Sequence, residues 1–231
     1  MGVRKRQQKE VLIVQSAITL FSSKGYQATT MDDVAKQARI SKGLTYFYFK
    51  NKEDLYMATT RHAFEQLNAV FQAEVEDDKK GLETILNLAR AFFKFTEENK
   101  MYYEAILNFM SLLARYNDET LRQKIDPLIL ESPNFIHLLD AHQEPCKTGS
   151  QIIAQGIRDR SIRAELQPDT AFFTVWSMLI GYDRLKGAIH YKNEEMSLDD
   201  TGWKRGFLKS LLEMLKGYLA RKTAGVQGSL F

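Results

Sequence analysis

The sequence predicts an all-α protein, and three observations support that prediction. The chain has 231 residues but only 13 glycines and 4 prolines, so long stretches are free to form uninterrupted helices. A β-sandwich, by contrast, needs turn residues every 8 to 12 positions or so. Apolar residues recur at helical spacing along most of the chain, and helix-capping residues precede several of these segments. The expected architecture is a small three-helix head followed by a larger helical bundle.

The first three helices follow from apolar periodicity and caps. Residues 8–23 place their apolar side chains largely on one face, and this helix should end at Lys24-Gly25 with the glycine in a left-handed conformation. Thr30 with Asp33 three residues later forms a capping box that opens a second helix over residues 31–38. Ser41 caps a third helix over residues 42–49. Only three residues separate the last two helices, which is typical of a helix-turn-helix, whose second helix fits a major groove about 12 Å wide.

The remaining chain continues the helical pattern. Apolar spacing predicts helices over residues 53–75, 82–99 and 101–115. Three prolines interrupt residues 119–160, which predicts two or three short helical pieces, one of them starting at Ser132-Pro133. Pro168 opens a helix that runs to about residue 189, and Ser197 with Asp200 caps a last helix that runs to about residue 221. The expected domains are residues 1–52 and residues 53–231.

Charge divides the chain in the same place. Residues 1–52 hold ten Lys and Arg against three acidic residues, a net charge of +7, whereas the remaining residues carry a net charge of −4. A compact basic head on a mildly acidic body is typical of a polyanion-binding module joined to a regulatory or oligomerising body. A basic surface that is merely solvated is the alternative interpretation.

Composition excludes several other classes of protein. Apolar residues make up 44% and charged residues 26% of the chain, which is ordinary for a globular protein and excludes a disordered one. The single cysteine, Cys146, excludes an internal disulfide and a Cys-pair zinc site, and it favours a reducing, cytoplasmic setting. No apolar segment follows the basic start, and the uncharged run over residues 170–182 is shorter than the ~20 residues of a spanning helix. We therefore expect no export signal, lipid anchor or membrane contact.

One segment of the head carries a recognisable pattern. The stretch AITLFSSKGYQATTMDDVAKQARISKGLTYFYFKNKEDLY resembles the DNA-binding head of the TetR family of bacterial helix-turn-helix transcriptional regulators, over roughly residues 10–57. The resemblance implies a DNA-binding helix-turn-helix domain over residues 1–52 and a helical bundle for ligand binding and dimerisation over residues 53–231. It also implies a homodimer that binds double-stranded operator DNA.

The resemblance assigns DNA contacts to particular residues. It implies base contacts from Lys42, Gly43 and Leu44, and phosphate contacts from Thr29, Thr30, Tyr46, Phe47, Tyr48 and Lys52. Hydroxyl and ammonium groups bind phosphate, and short or apolar side chains let a backbone approach base edges. Arg4, Lys5 and Arg6 are expected to form a disordered arm that contacts phosphates or the minor groove, a solvated tail being the alternative. Core packing is the alternative for the aromatic residues and is favoured for Phe49.

Two positions depart from the family pattern. The family commonly has glycine in the turn at Arg39, so either Arg39 adopts a left-handed conformation or the turn closes differently. At the start of the third helix, Leu44 takes the position that faces bases and Thr45 the position that packs inward. This arrangement indicates either an apolar contact from Leu44 to a thymine methyl group or a slightly rotated recognition helix.

The body is rich in bulky side chains, most of which must form ordinary core. The resemblance implies that the same helices enclose a cavity for a hydrophobic small-molecule effector. The candidate lining residues are Phe92, Tyr103, Leu107, Met110, Phe135 and Trp176. Arg115 and Arg184 are candidate partners for an effector carboxylate.

Motifs of enzymes are missing from the sequence. It contains no GxSxG, Walker A, GxGxxG or HExxH pattern. His137 and His142 lie five residues apart, a spacing that does not place both on one helical face. We therefore expect no catalytic site, metal or cofactor. The expected function is a ligand-responsive repressor released from its operator by a hydrophobic small molecule. The alternatives are an activator of the same fold, or a helical carrier or enzyme with an unused DNA-binding head.

Overall fold

A computed structural model describes residues 2–76, 78–188 and 200–216. Over these residues all the regular secondary structure is helical, as predicted. The helices are α1 (Gly2–Ala28), α2 (Met31–Gln37), α3 (Lys42–Tyr48), α4 (Lys52–Ala73), α5 (Gly81–Glu98), α6 (Lys100–Asn117), α7 (Glu119–Arg122), α8 (Pro127–Leu130), α9 (Pro133–Ala141), α10 (Glu144–Arg158), α11 (Pro168–Ala188) and α12 (Asp200–Lys216). Among the described helices, none is both long enough and apolar enough to cross a membrane.

Helix α1 is longer than the sequence predicted at both ends. It begins at Gly2 instead of residue 8, so the expected disordered arm is wrong for the described residues 2–7, whose backbone is helical. Gly25 has the predicted positive φ, 83°, but with ψ 162° it interrupts the helix instead of ending it. This is an extended conformation of positive φ that glycine adopts readily, and one further turn of helix follows it.

The short helices between α6 and α10 are divided by their caps. Residues 119–160 form four helices, α7 to α10, where two or three pieces were predicted, because Asp118 also caps α7 by accepting hydrogen bonds from the N–H groups of Thr120 and Leu121. Pro127 and Pro133 each open a helix, and Ser132 caps α9 as predicted. The predicted cap at Ser197 and the predicted helical residues 217–221 lie outside the described residues.

Two compact units can be distinguished, formed by the described residues of ranges 1–73 and 91–148 and by those of ranges 74–90 and 149–231. In the first unit, α4 packs against α1, α6, α8 and α9. Its core includes a cluster that joins α1 to α2, α3 and α4: Ile13, Val14, Ala17, Phe21, Met31, Val34, Phe49, Leu55 and Ala58. The functional boundary expected at residue 52 stays a prediction.

The second unit brings its helices close together through small residues. A Cβ atom on Gly81 would lie 2.2 Å from the backbone nitrogen of Gly156, so only glycine fits there. Asp159 Oδ2 accepts a hydrogen bond of 2.8 Å from the N–H of Gly81 and so caps the start of α5. Helices α11 and α12 pack against each other within this unit.

Candidate DNA-binding surface

The start of α2 is held by the predicted capping box. The Thr30 hydroxyl oxygen accepts from the N–H of Asp33 at 3.1 Å, and Asp33 Oδ2 accepts from the N–H of Thr30 at 2.9 Å. Lys24 Nζ lies 2.6 Å from the same carboxylate oxygen. Hydrogen bonds from Lys24 and then Thr30 hold the pKa of Asp33 well below its ordinary value. The ion pair between Lys24 and Asp33 connects the start of α2 to the last part of α1.

The turn between α2 and α3 closes through a left-handed residue. Arg39 has φ 54°, which settles the first departure from the family pattern in favour of a left-handed arginine. The N–H of Arg39 donates to Lys36 O at 3.1 Å, and the N–H of Ile40 donates to Ala35 O at 3.0 Å. This pair of bonds is a Schellman motif, in which glycine is the usual left-handed residue.

Helix α3 is oriented by its cap and by two buried side chains. The N–H of Leu44 donates to Ser41 Oγ at 3.2 Å, as predicted for the cap. Thr45 and Phe49 are buried against the core, so the inward position predicted for Thr45 and the core role favoured for Phe49 are both confirmed. The opposite side of the helix therefore points away from the core.

Four residues form the outer face of α3: Lys42, Gly43, Tyr46 and Phe47. They occupy two adjacent rows with a spacing of four residues, which places them on one side of the helix. Phe47 is 69% exposed and Tyr46 is 42% exposed. Exposure of large aromatic side chains on a short helix indicates a surface that binds something.

Gly43 leaves the outer face open at the centre. A Cβ atom added there would meet no other atom within 4 Å. The backbone of α3 can thus be approached closely from outside, and the fold itself does not require a glycine at this position.

Cations lie beside both exposed rings. Lys42 Nζ is 5.9 Å from the centre of the Tyr46 ring, and Arg6 Cζ is 5.9 Å from the centre of the Phe47 ring. Lys42 also pairs with Asp32 at 2.8 Å, and the hydrogen bond from Lys42 to Asp32 raises the pKa of Lys42. Lys42 is therefore charged at neutral pH, and both Lys42 and Arg6 adjoin the outer face of α3.

The structure does not bring every predicted contact residue to this face. Thr30 is exposed, but Thr29 is 1% exposed and its hydroxyl donates to Gly25 O at 2.8 Å. Lys52 Nζ donates to the carbonyl of Tyr26 at 3.1 Å and lies 4.3 Å from the centre of the Tyr26 ring. The Lys52 ammonium group thus holds the end of α1.

Of three further residues predicted to contact DNA, two are half-buried and one has a side chain outside the described part of the structure. Leu44 and Tyr48 are half-buried, in one row along the edge of the outer face. The side chain of Arg4 is outside the described part of the structure.

A buried carboxylate behind α3 was not recognised in the sequence. Asp54 is 3% exposed and accepts hydrogen bonds from the N–H of Lys50 at 3.2 Å, Ser132 Oγ at 2.6 Å and Asn134 Nδ2 at 2.9 Å. It joins the segment after α3 to the start of α9. Its position three residues after Asn51 signals a helix cap, which is present, but no sequence spacing reveals the contacts to α9.

The predicted effector residues are distributed over both units. Phe92, Tyr103, Leu107 and Phe135 are buried in the first unit, and Trp176 is buried in the second. Met110 is 36% exposed. Two cavities of the first unit, of about 690 and 740 Å³, are lined by none of these six residues, but Arg115, a predicted partner for an effector carboxylate, lines the second.

Metal-ligating side chains are scattered in the described residues. Within residues 2–76, 78–188 and 200–216, no three His, Cys, Asp or Glu side chains are grouped so that they could hold a metal ion.

Sequence comparison identifies the segment that contains this surface. Residues 13–59 match the family model of bacterial regulatory proteins of the tetR family. IcaR of Staphylococcus aureus, the HTH-type negative transcriptional regulator of the biofilm operon icaADBC, is 32% identical over 94 residues, which are 40% of this chain and 50% of IcaR. The chain thus matches about half the length of that relative. The HTH-type transcriptional repressor KstR2 of Mycolicibacterium smegmatis is 28% identical over 160 residues, covering 69% of this chain and 70% of KstR2.

Solved structures share the fold over most of the chain. A TetR/AcrR-family transcriptional regulator from Thermobifida fusca superimposes with a TM-score of 0.61 at 21% identity, covering 91% of this chain and 98% of the other. The ketosteroid transcriptional regulator KstR2 of Mycobacterium tuberculosis gives a TM-score of 0.55 at 21% identity, covering 93% and 96%. The segment that contains this surface therefore matches the tetR family of bacterial regulatory proteins, and the chain as a whole shares the fold of solved regulators of that family.

Proposed function

We propose that the chain is a DNA-binding transcriptional regulator that acts as a ligand-responsive repressor. The observation that carries this proposal is the outer face of α3, with its open backbone at Gly43, its exposed rings and its adjoining cations. Cations position a protein on phosphates, and an open helix face reads base edges in the major groove. We infer that Lys42, Gly43, Tyr46 and Phe47 make the principal contacts, with Arg6 and Thr30 at the border.

The names of the sequence relatives support repression as the outcome. IcaR is a negative transcriptional regulator and KstR2 is a transcriptional repressor. These roles belong to those proteins, and their similarity to this chain is the reason to propose the same direction of control here.

Binding to a near-palindromic operator requires two heads. We propose a homodimer whose two α3 helices reach successive major grooves, about 34 Å apart. An effector that favours a state with a different spacing lowers the DNA affinity by its differential affinity for that state. The proposed effector is a hydrophobic small molecule.

Fluorescence anisotropy on labelled DNA tests the proposal directly. The probe is double-stranded DNA from the region upstream of the gene that encodes this chain, with a scrambled duplex as control. We expect tighter binding to the upstream DNA and a linear fall of log affinity with log salt concentration. Equal affinity for both duplexes at all salt concentrations would contradict sequence-specific binding.

A matched pair of lysines tests the surface. Lys42 on α3 and Lys94 on α5 are both exposed lysines in surface ion pairs, with Asp32 and Glu98 respectively. Lys42→Gln should reduce the salt slope by about one, whereas Lys94→Gln should leave it unchanged. Repression itself is measured by transcription in vitro from a template that carries the bound site, where added protein should reduce the transcript.

A further inference from the structure

The cavities of about 690 and 740 Å³ in the first unit share a wall. Tyr26, Tyr56 and Asn108 line both of them. Asn108 Nδ2 donates to the Tyr56 hydroxyl at 3.2 Å, and the Tyr26 and Tyr56 rings are 4.8 Å apart. This wall joins α6 to α4 and to the end of α1.

The two cavities differ in charge. The cavity of about 690 Å³ is lined by Glu97, Glu98 and Glu104 with one lysine, and we name it the acidic cavity. The cavity of about 740 Å³ is lined by Lys24 and Arg115 and by no aspartate or glutamate, and we name it the basic cavity. The acidic cavity favours cations, and the basic cavity favours anions.

The basic cavity reaches the apolar interior. Met57, Thr60 and Phe109 line it and are each at most 3% exposed. Leu112 and Ile129 add apolar side chains to its wall. A volume within about 300–1,000 Å³, mostly apolar lining and a small number of charged groups are typical of small-molecule sites.

Arg115 supplies the group that would orient an anion. Its guanidinium donates one hydrogen bond of 3.0 Å, to the carbonyl of Lys124. A guanidinium has five N–H donors, so donors remain for a carboxylate. Lys24 Nζ is paired with Asp33, which leaves Arg115 as the principal anchor.

The far wall of the basic cavity is the segment that leads into the helix-turn-helix. Gly25, Tyr26, Gln27 and Ala28 line the cavity, and Met31 opens α2 three residues later. The hydrogen bond from the Thr29 hydroxyl to Gly25 O closes this segment just before α2. A molecule in the basic cavity would therefore touch α4, α6 and the entry to the DNA-binding helices at once.

We propose that the basic cavity binds an organic carboxylate with an aromatic or short acyl body, and that its occupancy changes the affinity for operator DNA. The carboxylate pairs with Arg115, and the apolar body lies against Met57 and Phe109. This inference rests on the proposed regulatory function. It assigns effector binding to the junction of α1, α4 and α6, apart from the six residues expected from the sequence.

Isothermal titration of the full chain tests the site without DNA. The probes are 1-naphthoate, octanoate and 1-naphthamide, a neutral analogue that keeps the shape of naphthoate. We expect 1-naphthoate to bind at least about tenfold more tightly than 1-naphthamide, because a charge-assisted pair with arginine is lost in the amide. Failure of both carboxylates to bind at millimolar concentration, or equal affinity for naphthoate and naphthamide, would overturn the proposal.

Three variants locate the bound probe. Arg115→Gln should reduce naphthoate affinity to that of the amide, and Leu112→Trp should abolish binding by filling the cavity. Arg122→Gln is the matched control, because Arg122 also donates to a backbone carbonyl but does not line the cavity. Circular dichroism verifies that each variant retains its helix content. Equal naphthoate affinity in wild type and Arg115→Gln would show that the probe binds elsewhere and would overturn the proposal.

A second titration tests the coupling to DNA. Naphthoate affinity is measured with and without saturating upstream DNA, and operator affinity with and without saturating naphthoate. Both should change by the same factor, within the ~5–150-fold range usual for allosteric coupling. If the protein binds DNA and binds naphthoate through Arg115, but naphthoate leaves the DNA affinity unchanged, the proposed regulation is overturned. Arg115-dependent binding in a protein that does not bind DNA would support the cavity and contradict the proposed function.

Discussion

Arg39 occupies a backbone position that favours glycine, whereas Gly43, four residues later, occupies a helical position that does not require glycine. Arg39 occupies a left-handed position, φ 54°, where glycine is favoured. Gly43 occupies an ordinary helical position, where any side chain would fit the fold. Arg39 therefore costs stability, and the fold itself does not require a glycine at position 43.

Replacement of Arg39 by glycine should stabilise the protein. The left-handed conformation destabilises the folded state by about 1–2 kcal/mol for a residue other than glycine. Glycine avoids this strain but loses more backbone entropy on folding, which offsets part of the gain. We expect Arg39→Gly to raise the free energy of unfolding by about 0.5–1 kcal/mol in urea titration. Arg39→Ala is the control and should give no gain, since alanine keeps the strain; an equal gain from both variants would refute this explanation.

Substitution of Gly43 should separate stability from DNA binding. Gly43→Ala should stabilise α3 by about 0.8 kcal/mol, the difference in helix propensity. Gly43→Gln should fold normally but reduce operator affinity by about tenfold or more, because the side chain holds the helix away from base edges. Anisotropy measures affinity and thermal unfolding measures stability. Wild-type affinity in Gly43→Gln would exclude a close approach at this position.

The N-terminal ends of α2 and α4 are held by different kinds of carboxylate contact. Asp33 at α2 is exposed and makes only local contacts with Thr30 and Lys24. Asp54 at α4 is buried, and two of its three donors come from the start of α9. The exposed contacts of Asp33 are sensitive to pH and salt, whereas the buried contacts of Asp54 fix the position of α4 against α9.

Removal of the Asp54 charge should weaken the junction of α4 with α9. Hydrogen bonds to a buried charged acceptor contribute about 1.5–3 kcal/mol. An asparagine that keeps its oxygen toward Ser132 and Asn134 would turn its NH2 group toward the N–H of Lys50, which is itself a donor. We therefore expect Asp54→Asn to reduce the free energy of unfolding by about 2–3 kcal/mol, and Ser132→Ala to reduce it by about 1–2 kcal/mol. A double-mutant cycle in urea should show coupling between the two sites. Additive effects would contradict a direct contact.

The α2 capping box should lose its contribution in acid. Because the folded-state pKa of Asp33 is lowered from 3.8, its stabilisation is present above about pH 4 and is lost as the pH falls toward the folded-state pKa. The difference in unfolding free energy between wild type and Asp33→Asn should therefore shrink between about pH 5 and about pH 2. Urea titrations across this range measure it, and a difference independent of pH would show that the carboxylate charge has no role.

At the scale of the whole molecule, one face of α11 is suited to self-association. Phe173 and Leu185 are 53% and 52% exposed, and Ser177 and Gly181 lie between them at intervals of four residues. A Cβ atom on Gly181 would meet nothing within 4 Å, so a second helix could approach closely here. We propose that this stripe forms the centre of the dimer interface, which agrees with the dimer expected from the sequence.

A charge in this stripe should separate the subunits. Leu185→Glu should convert the dimer to a monomer at micromolar concentration in analytical ultracentrifugation, because the interface would bury an unpaired carboxylate. Leu128→Glu is the matched control, since Leu128 is 46% exposed in the first unit and lies outside the stripe. A monomeric wild type would contradict the dimer, and a dimeric Leu185→Glu would place the interface elsewhere.

The sequence by itself determined the all-α class, the caps at Thr30, Ser41 and Ser132, and the positive φ of Gly25. Each of these depends on contacts within a few residues, so local chemistry is sufficient to predict them. Tertiary structure decided which predicted contacts face outward: Gly43 and Phe47 do, whereas Thr29 is buried and Lys52 binds carbonyls of α1. It also created the Asp54 contacts and the basic cavity, which join segments far apart in the chain. Such features arise from the packing of whole helices, whose relative orientation no local spacing in the sequence specifies.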